Sequence, residues 1–395
     1  HWTAPMDFAR TEEQRMLIDT ARRVGEKFGL DYWRELDAKK EFPAAIWQEI
    51  CDAGLCGIAI PEEYGGAGLG MTELAMAIEA LCAAGGGSTL SQMFMCNPIF
   101  GGITLTKFGT PEMKRELLPR LVSGKAMFAM ALTEPDAGTN TLAIKSFARA
   151  DGNGWRLNGQ KIWITAVPQA SHVLVIARTT RADEVERKIN GISLFLVDRD
   201  RAGISHQAIE KVGTNTLPSS TVFFEDVRVE GHELVGQLDG GFRQLLDVLN
   251  TERIVTTSGL VATAELAIRL ASNYARDRKI FNGQPIGSYQ GVQFPLAEAH
   301  IQAECARLMN HKAATFYDQG LPYGSEANMA KWMAGHAAGL ATDRAIQTLG
   351  GMGYSKEYHV ERLWRDARLF RFAPVAEELV LNFVSQHDLG LPRSY

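Results

Sequence analysis

The sequence predicts a chain of three regions, helical, then β, then helical again. Apolar residues recur at helical spacing over 6–127, and the period falls to two over 128–238. Helical spacing returns over 239–395. Strands that follow one another without intervening helices predict an antiparallel sheet or small barrel in the middle region.

The N-terminal region opens with "TEEQRMLIDTARRVGEKFG", where Thr11 is placed to cap a helix and Glu13 falls in its first turn. "PAAIWQEICDAGL" and "TELAMAIEALCAAG" carry the same helical period, and the Gly-rich "PEEYGGAGLG" lies between them as a loop. In the middle region, "GWRLNGQKIWIT" reads as two strands joined by an Asn158–Gly159 hairpin turn. "HVLVIART", "ISLFLVD" and "TVFFEDVRV" follow as Val-, Ile- and Phe-rich strands. The last region holds long helices at 242–277 and beyond. A small sheet between two helical layers offers clefts where the layers meet, a common place for a ligand.

Composition excludes several classes. The chain has 395 residues, 46% of them hydrophobic. Net charge is −5 and no long basic run appears, which argues against nucleic-acid binding. Apolar stretches read as too short and interrupted to span a membrane. No signal peptide is visible, and "HWTAP" reads as an added leader before a natural start at Met6. Cys51, Cys56, Cys82, Cys96 and Cys305 form no C-x-x-C pair and read as buried free thiols in a reducing compartment. The histidines lack metal-ligand spacing, and neither G-x-G-x-x-G nor a P-loop occurs.

One residue breaks the helical pattern. Within "DVLNTERIVTTSGL", Glu252 shares a helix face with Leu245, Val248, Leu249, Val255 and Gly259. A carboxylate there costs several kcal/mol to desolvate unless paired or protonated. It is either a structural ion-pair partner, of Arg253 or of a base from elsewhere in the fold, or a functional group. Three further segments admit both a structural and a functional reading. "MALTEPDAGTN" is either a capped turn or a polar ligand loop. In "KIWITA", Trp163 is either core or a cover for a planar ring, with Thr165 on its side of the strand. "QTLGGMGY" is either a Gly-rich helix end or a close approach for phosphate.

Together, in this order, these segments resemble the acyl-CoA dehydrogenase family of flavoproteins. "IPEEYGGAGLG", "LTEPDAGT", "WIT", "FFEDVRV", "YARDRKIFNGQPIGSYQGVQF" and "QTLGGMGY…E…R…D" carry the likeness over nearly the whole chain. The resemblance implies an N-terminal α domain, a middle β domain and a C-terminal four-helix bundle. It implies non-covalent FAD, an acyl-CoA substrate, an electron-transferring flavoprotein as acceptor and a homotetramer. It implies β-oxidation in a bacterial cytoplasm or, in a eukaryote, the mitochondrial matrix. It places Met130, Leu132, Thr133 and Thr139 along the flavin, with Trp163 and Thr165 against its ring. Arg278, Phe281 and Gln290, with Gln347, Gly350 and Gly351, match positions that hold the FAD diphosphate and adenine across a subunit interface. Thr139, Asn250 and Arg253 match substrate positions.

The family reaction removes an α-proton to a carboxylate and a β-hydride to the flavin. The usual base is a Glu shortly after "RDAR"; here that position is Pro374, preceded by Ala373. Isovaleryl-CoA and long-chain members carry the base on the first long C-terminal helix instead, and Glu252 matches that position. Pro374 also lacks the backbone N–H that helps hold the thioester oxygen in the family. A small Ala373 beside Pro374 leaves side-chain volume empty, which suits branching near the α-carbon. Asn140 and an extra residue near Asn282 are smaller departures. Two rival readings remain: an enoyl-CoA reductase running the reverse reaction, and a homologue that binds flavin and CoA without dehydrogenating.

Overall fold

The computed structural model describes residues 7–393. Met6 and the run before it lie outside the described residues. The N-terminal helices are α1 (Glu12–Lys39), α2 (Ala44–Asp52), α3 (Met71–Leu81), α4 (Gly87–Phe94), α5 (Thr104–Phe108) and α6 (Pro111–Val122). Thr11 caps α1 as expected, but its reciprocal partner is Gln14: the Gln14 N–H donates to Thr11 Oγ1, and Thr11 N–H to Gln14 Oε1, both at 3.1 Å. The cap of α3 comes from far away in the chain. Asp318 accepts from Met71 N (2.6 Å), Thr72 N (2.9 Å) and the Thr72 hydroxyl (2.6 Å). A carboxylate there satisfies orphan N–H groups and complements the helix dipole.

The middle region is an eight-stranded sheet: β1 (Phe128–Ala131), β2 (Phe147–Asp151), β3 (Gly154–Thr165), β4 (His172–Arg178), β5 (Ile192–Asp198), β6 (Ile204–Ala208), β7 (Ser219–Val229) and β8 (Leu234–Val235). The order is β6-β7-β3-β2-β4-β5-β8, with β1 on β4. Most pairs are antiparallel, but β1 and β2 both run parallel to β4; between β2 and β4 the chain reverses twice, at the β2–β3 hairpin and again after β3. That hairpin does not turn at Asn158–Gly159. It turns at Gly152–Asn153, and β3 runs unbroken through Asn158 and Gly159. Gly159 is there for a close approach. A Cβ on it would lie 2.1 Å from Ser146 Oγ, and the register with β7 shifts at this point.

The C-terminal region packs α7 (Gly241–Asp277), α8 (Gln290–Asp318) and α9 (Gly324–Leu349) against one another, and α10 (Val360–Arg368) and α11 (Glu377–His387) cover α9. The fourth side of this bundle is thus shared by two short helices. Two helical stretches, Met71–Phe108 and Gly241–Asp277, are long and apolar enough to cross a membrane, contrary to the sequence reading. Most of their surface is buried inside the fold, so their apolar faces are already covered. α7 in particular is buried almost all round from Ile254 to Ala264.

One side chain ties the three regions together. Asp366 on α10 accepts from the Thr89 hydroxyl of α4 at 2.8 Å and from Thr214 N of the middle region at 2.6 Å. Arg362, one turn earlier, approaches the same carboxylate at 3.4 Å and donates to the carbonyl of Gly85 at 2.6 Å. Cysteines 51, 56, 82 and 96 are buried as expected, but Cys305 is exposed on α8. The helical period that hides a small thiol equally places one on an outer face.

Candidate active site

Glu252 lies on α7 and is 3% exposed. Among the described residues its carboxylate has no hydrogen bond or ion pair, yet it is not sealed. Burial raises its pKa to about 8, against the opposing pull of Arg253 and Lys331. Arg253 does not pair with it, because its guanidinium donates to Asn250 Oδ1 three residues back. The structural ion-pair reading therefore has no partner among the described residues. Cys96 is also close: burial, then the Glu252 charge, push its thiol up to about 12. One turn beyond Glu252, the Thr256 hydroxyl contacts Met95 Sδ at 3.5 Å. This buried stretch, Met95–Ile103, is wound as a π-helix containing Pro98.

A second group assembles where β1 meets β3. Thr133 O accepts from Ile162 N at 2.9 Å, which holds the Met130–Thr133 segment beside Trp163. Below it, the buried Lys161 ammonium donates to Leu132 O and to Glu134 Oε1, both at 2.9 Å. Glu134 also accepts from Lys145 N (2.6 Å) and Ser146 N (2.9 Å). Burial pushes Glu134 up, but Lys161 and these donors bring it below its ordinary value. Burial also lowers Lys161 to about 8. This anchor shapes the turn that runs on to the exposed Thr139.

Trp163 sits in a β-bulge with φ 62°, and the residue is 53% exposed. Lys161 and Ile164, three apart, are both buried, so regular alternation stops here. No regular pleat therefore places Trp163 and the half-buried Thr165 on one side; the bulge turns the indole out of the core instead. An indole turned outward in this way fits a planar ring better than it fits a core.

The third group lies on the C-terminal region. Arg278 ends α7, exposed and without a side-chain partner among the described residues. Phe281 is exposed in the following turn, and Gln290 opens α8. Gln347, Gly350 and Gly351 end α9; both glycines stand in open space, and Gly350 has φ 60°. Among the described residues, no hydrogen bond, ion pair or ring contact joins this group to Trp163. Free cationic, aromatic and bare-backbone positions of this kind suit the phosphates and adenine of a dinucleotide. Sequence reasoning missed Lys161, Glu134 and Lys331. The only signal was a lone lysine at an apolar-period position.

An α–β–α fold with an exposed indole on its sheet and, on its core helix, a buried carboxylate that has no partner among the described residues fits a flavin-dependent oxidoreductase. Residues 11–125, 129–227 and 239–387 match the N-terminal, middle and C-terminal domains of acyl-CoA dehydrogenase. The chain belongs to the acyl-CoA dehydrogenase family, whose members are FAD-dependent oxidoreductases. It is 40% identical over 390 residues to acyl-CoA dehydrogenase FadE12 of Mycobacterium tuberculosis H37Rv, covering 98% of this chain and 99% of that one. It is 36% identical over 384 residues to the mitochondrial short-chain specific acyl-CoA dehydrogenase of Homo sapiens, covering 97% and 92%. Among solved structures, butyryl-CoA dehydrogenase from Megasphaera elsdenii superposes with a TM-score of 0.91 at 29% identity, covering 98% of this chain and all of that one.

Proposed function

We propose that this protein dehydrogenates short acyl-CoA thioesters between Cα and Cβ, with Glu252 as the base that takes the α-proton. The observation that carries the reading is a buried carboxylate, without a partner among the described residues, on the helix that also bears Asn250 and Arg253. A weakly acidic α-proton needs a strong base, and burial makes Glu252 one. Bound FAD would supply the acceptor for the β-hydride, with an electron-transferring flavoprotein as the onward acceptor of the electrons. Asn250 and Arg253 hold the CoA nucleotide. Met130, Leu132, Thr133, Thr139, Trp163 and Thr165 hold the flavin ring. Arg278, Phe281 and Gln290 meet Gln347, Gly350 and Gly351 of a neighbouring subunit around the rest of the cofactor, in a homotetramer. Arg278→Ala removes a charged phosphate contact, and FAD is expected to be lost during gel filtration while wild type keeps it. Full FAD retention by the variant would remove Arg278 from the site.

The short-chain assignment rests on Met95. Four residues along α7 from Glu252 is about 6 Å. There the Met95 sulfur accepts from the Thr256 hydroxyl at 3.5 Å, and in this reading that contact is the far end of the acyl pocket. Butyryl to hexanoyl groups fit that length, and the exposed Pro374 with half-buried Ala373 leaves space for a branch near Cα. Flavin bleaching under anaerobic addition of acyl-CoA is expected with butyryl-, isobutyryl- and 2-methylbutyryl-CoA and to be slow with octanoyl- and palmitoyl-CoA. Met95→Ala is expected to improve octanoyl-CoA relative to butyryl-CoA by at least about tenfold in kcat/KM, since a methylene or two of clash is worth that much. An unchanged ratio would place the end of the pocket elsewhere.

A further inference from the structure

The 373–376 turn has lost the glutamate and the backbone N–H that the family usually places there, yet it is held firmly from two sides. Across its base, the Arg371 guanidinium grips Glu377 through two hydrogen bonds, one of them at 2.8 Å. His336 of α9 meets the same carboxylate at 3.1 Å. From beneath, the Lys331 ammonium of α9 donates to the carbonyl of Val375 at 2.6 Å. Lys331 is 1% exposed. An ammonium has three N–H bonds, and Val375 O is the one acceptor that Lys331 meets among the described residues.

A buried lysine with a single neutral acceptor is costly unless negative charge lies near. Glu377 is already engaged by Arg371 and His336. The other carboxylate that acts on Lys331 is Glu252, which has no hydrogen-bond or ion-pair partner of its own among the described residues. Arg253 of α7 and Arg371 oppose the ammonium from the remaining sides.

We propose that Lys331 is a positioning residue for the reaction: it pins the Val375 carbonyl, and so the 373–376 turn, to α9, which packs against α7, and it sets the charge environment of Glu252. This proposal rests on Glu252 being the base. The ammonium favours the ionised carboxylate, so its loss leaves Glu252 protonated to a higher pH. The groups facing Lys331 are Glu252 and Arg253 from α7, His336 from its own helix, Arg371 from the turn before the site, and Glu377 from α11. None of them is removed when only Lys331 is changed. Burial lowers Lys331 itself to about 8, so its charge is present on the acid side of that value, where Glu252 needs help to ionise.

The test is the pH profile of single-turnover flavin reduction by butyryl-CoA in wild type, Lys331→Met, Lys331→Arg and Glu252→Gln holoenzymes. Lys331→Met keeps length and removes charge; its profile is expected to move about one unit to higher pH. At a fixed pH on the rising limb that is roughly a tenfold loss, recovered at high pH. Lys331→Arg keeps the charge and is expected to keep the wild-type midpoint. A purely structural lysine would lower the melting temperature in Lys331→Met without moving the profile, and that result overturns the proposal. A displaced midpoint in Lys331→Arg overturns it too, and this arm stands alone if the methionine variant does not fold. The failure of the base assignment looks different: Glu252→Gln would then reduce its flavin at near the wild-type rate, whatever Lys331→Met does.

Discussion

Glu252→Gln is expected to fold, keep its flavin and bind acyl-CoA, yet to reduce the flavin more slowly by about 10²–10⁴-fold, the usual worth of general-base catalysis. Glutamine keeps the size and removes the basic oxygen. The residue makes no hydrogen bond or ion pair among the described residues, so nothing structural is broken by the change. The opposite sign holds for stability. A carboxyl whose folded-state pKa is raised to about 8 destabilises the fold when it ionises. Below the ordinary carboxylate value it is protonated in both states and costs nothing. Between there and pH 8 the unfolded chain releases the proton first, so stability falls as pH rises. Glu252→Gln is therefore expected to melt higher than wild type at pH 8, with the gap closing at pH 5. Catalysis runs the other way, because the base works only when ionised, and the wild-type rate is expected to climb with pH up to about 8. Stopped-flow flavin reduction beside thermal melts at several pH values reads both. Near-normal reduction by the variant at saturating butyryl-CoA would sink the assignment.

The second large effect is expected at Lys161. Lys161→Met leaves Glu134 buried against two backbone donors but without its cation. Removing one partner of a buried pair typically costs roughly 3–5 kcal/mol. The damage here has a direction. Lys161 also holds the carbonyl of Leu132, so the Met130–Thr133 segment proposed to line the flavin loses its anchor. The variant is expected to melt well below wild type and to release FAD at lower urea. Pairing it with Glu134→Leu should restore most of the stability, since replacing both charges by apolar groups is often neutral. A Lys161→Met enzyme with wild-type melting and flavin retention would show that the pair is dispensable.

The α–β–α order was legible because burial imposes a period, and the period changes at the region boundaries. Glu252 was legible for the same reason: a charge on an apolar face is an anomaly of pattern. Asn158–Gly159 misled because glycine serves two needs that look alike in sequence, a left-handed turn and a close approach; Ser146 decides for the second. The outward turn of Trp163 depends on a bulge, which a strand-like run does not reveal. Lys331 was invisible because an isolated lysine in a helix reads as surface. It is buried because α9 packs inside the bundle, and the acceptor it meets, Val375 O, lies 44 residues away. The long apolar helices were underrated as membrane-like because scattered Thr, Ser and Glu interrupt them, and tertiary packing covers what remains.

Asp366 bears on how this molecule can be taken apart. Its two oxygens serve donors from both other regions. Cutting the chain at either boundary strands a buried carboxylate on one fragment and its unpaired donors on the other. The three stretches recognisable as separate units of sequence are therefore not separate units of cooperativity. Shuffling one of them between relatives means carrying Thr89, Thr214 and Arg362 along as a set, or replacing the whole junction at once.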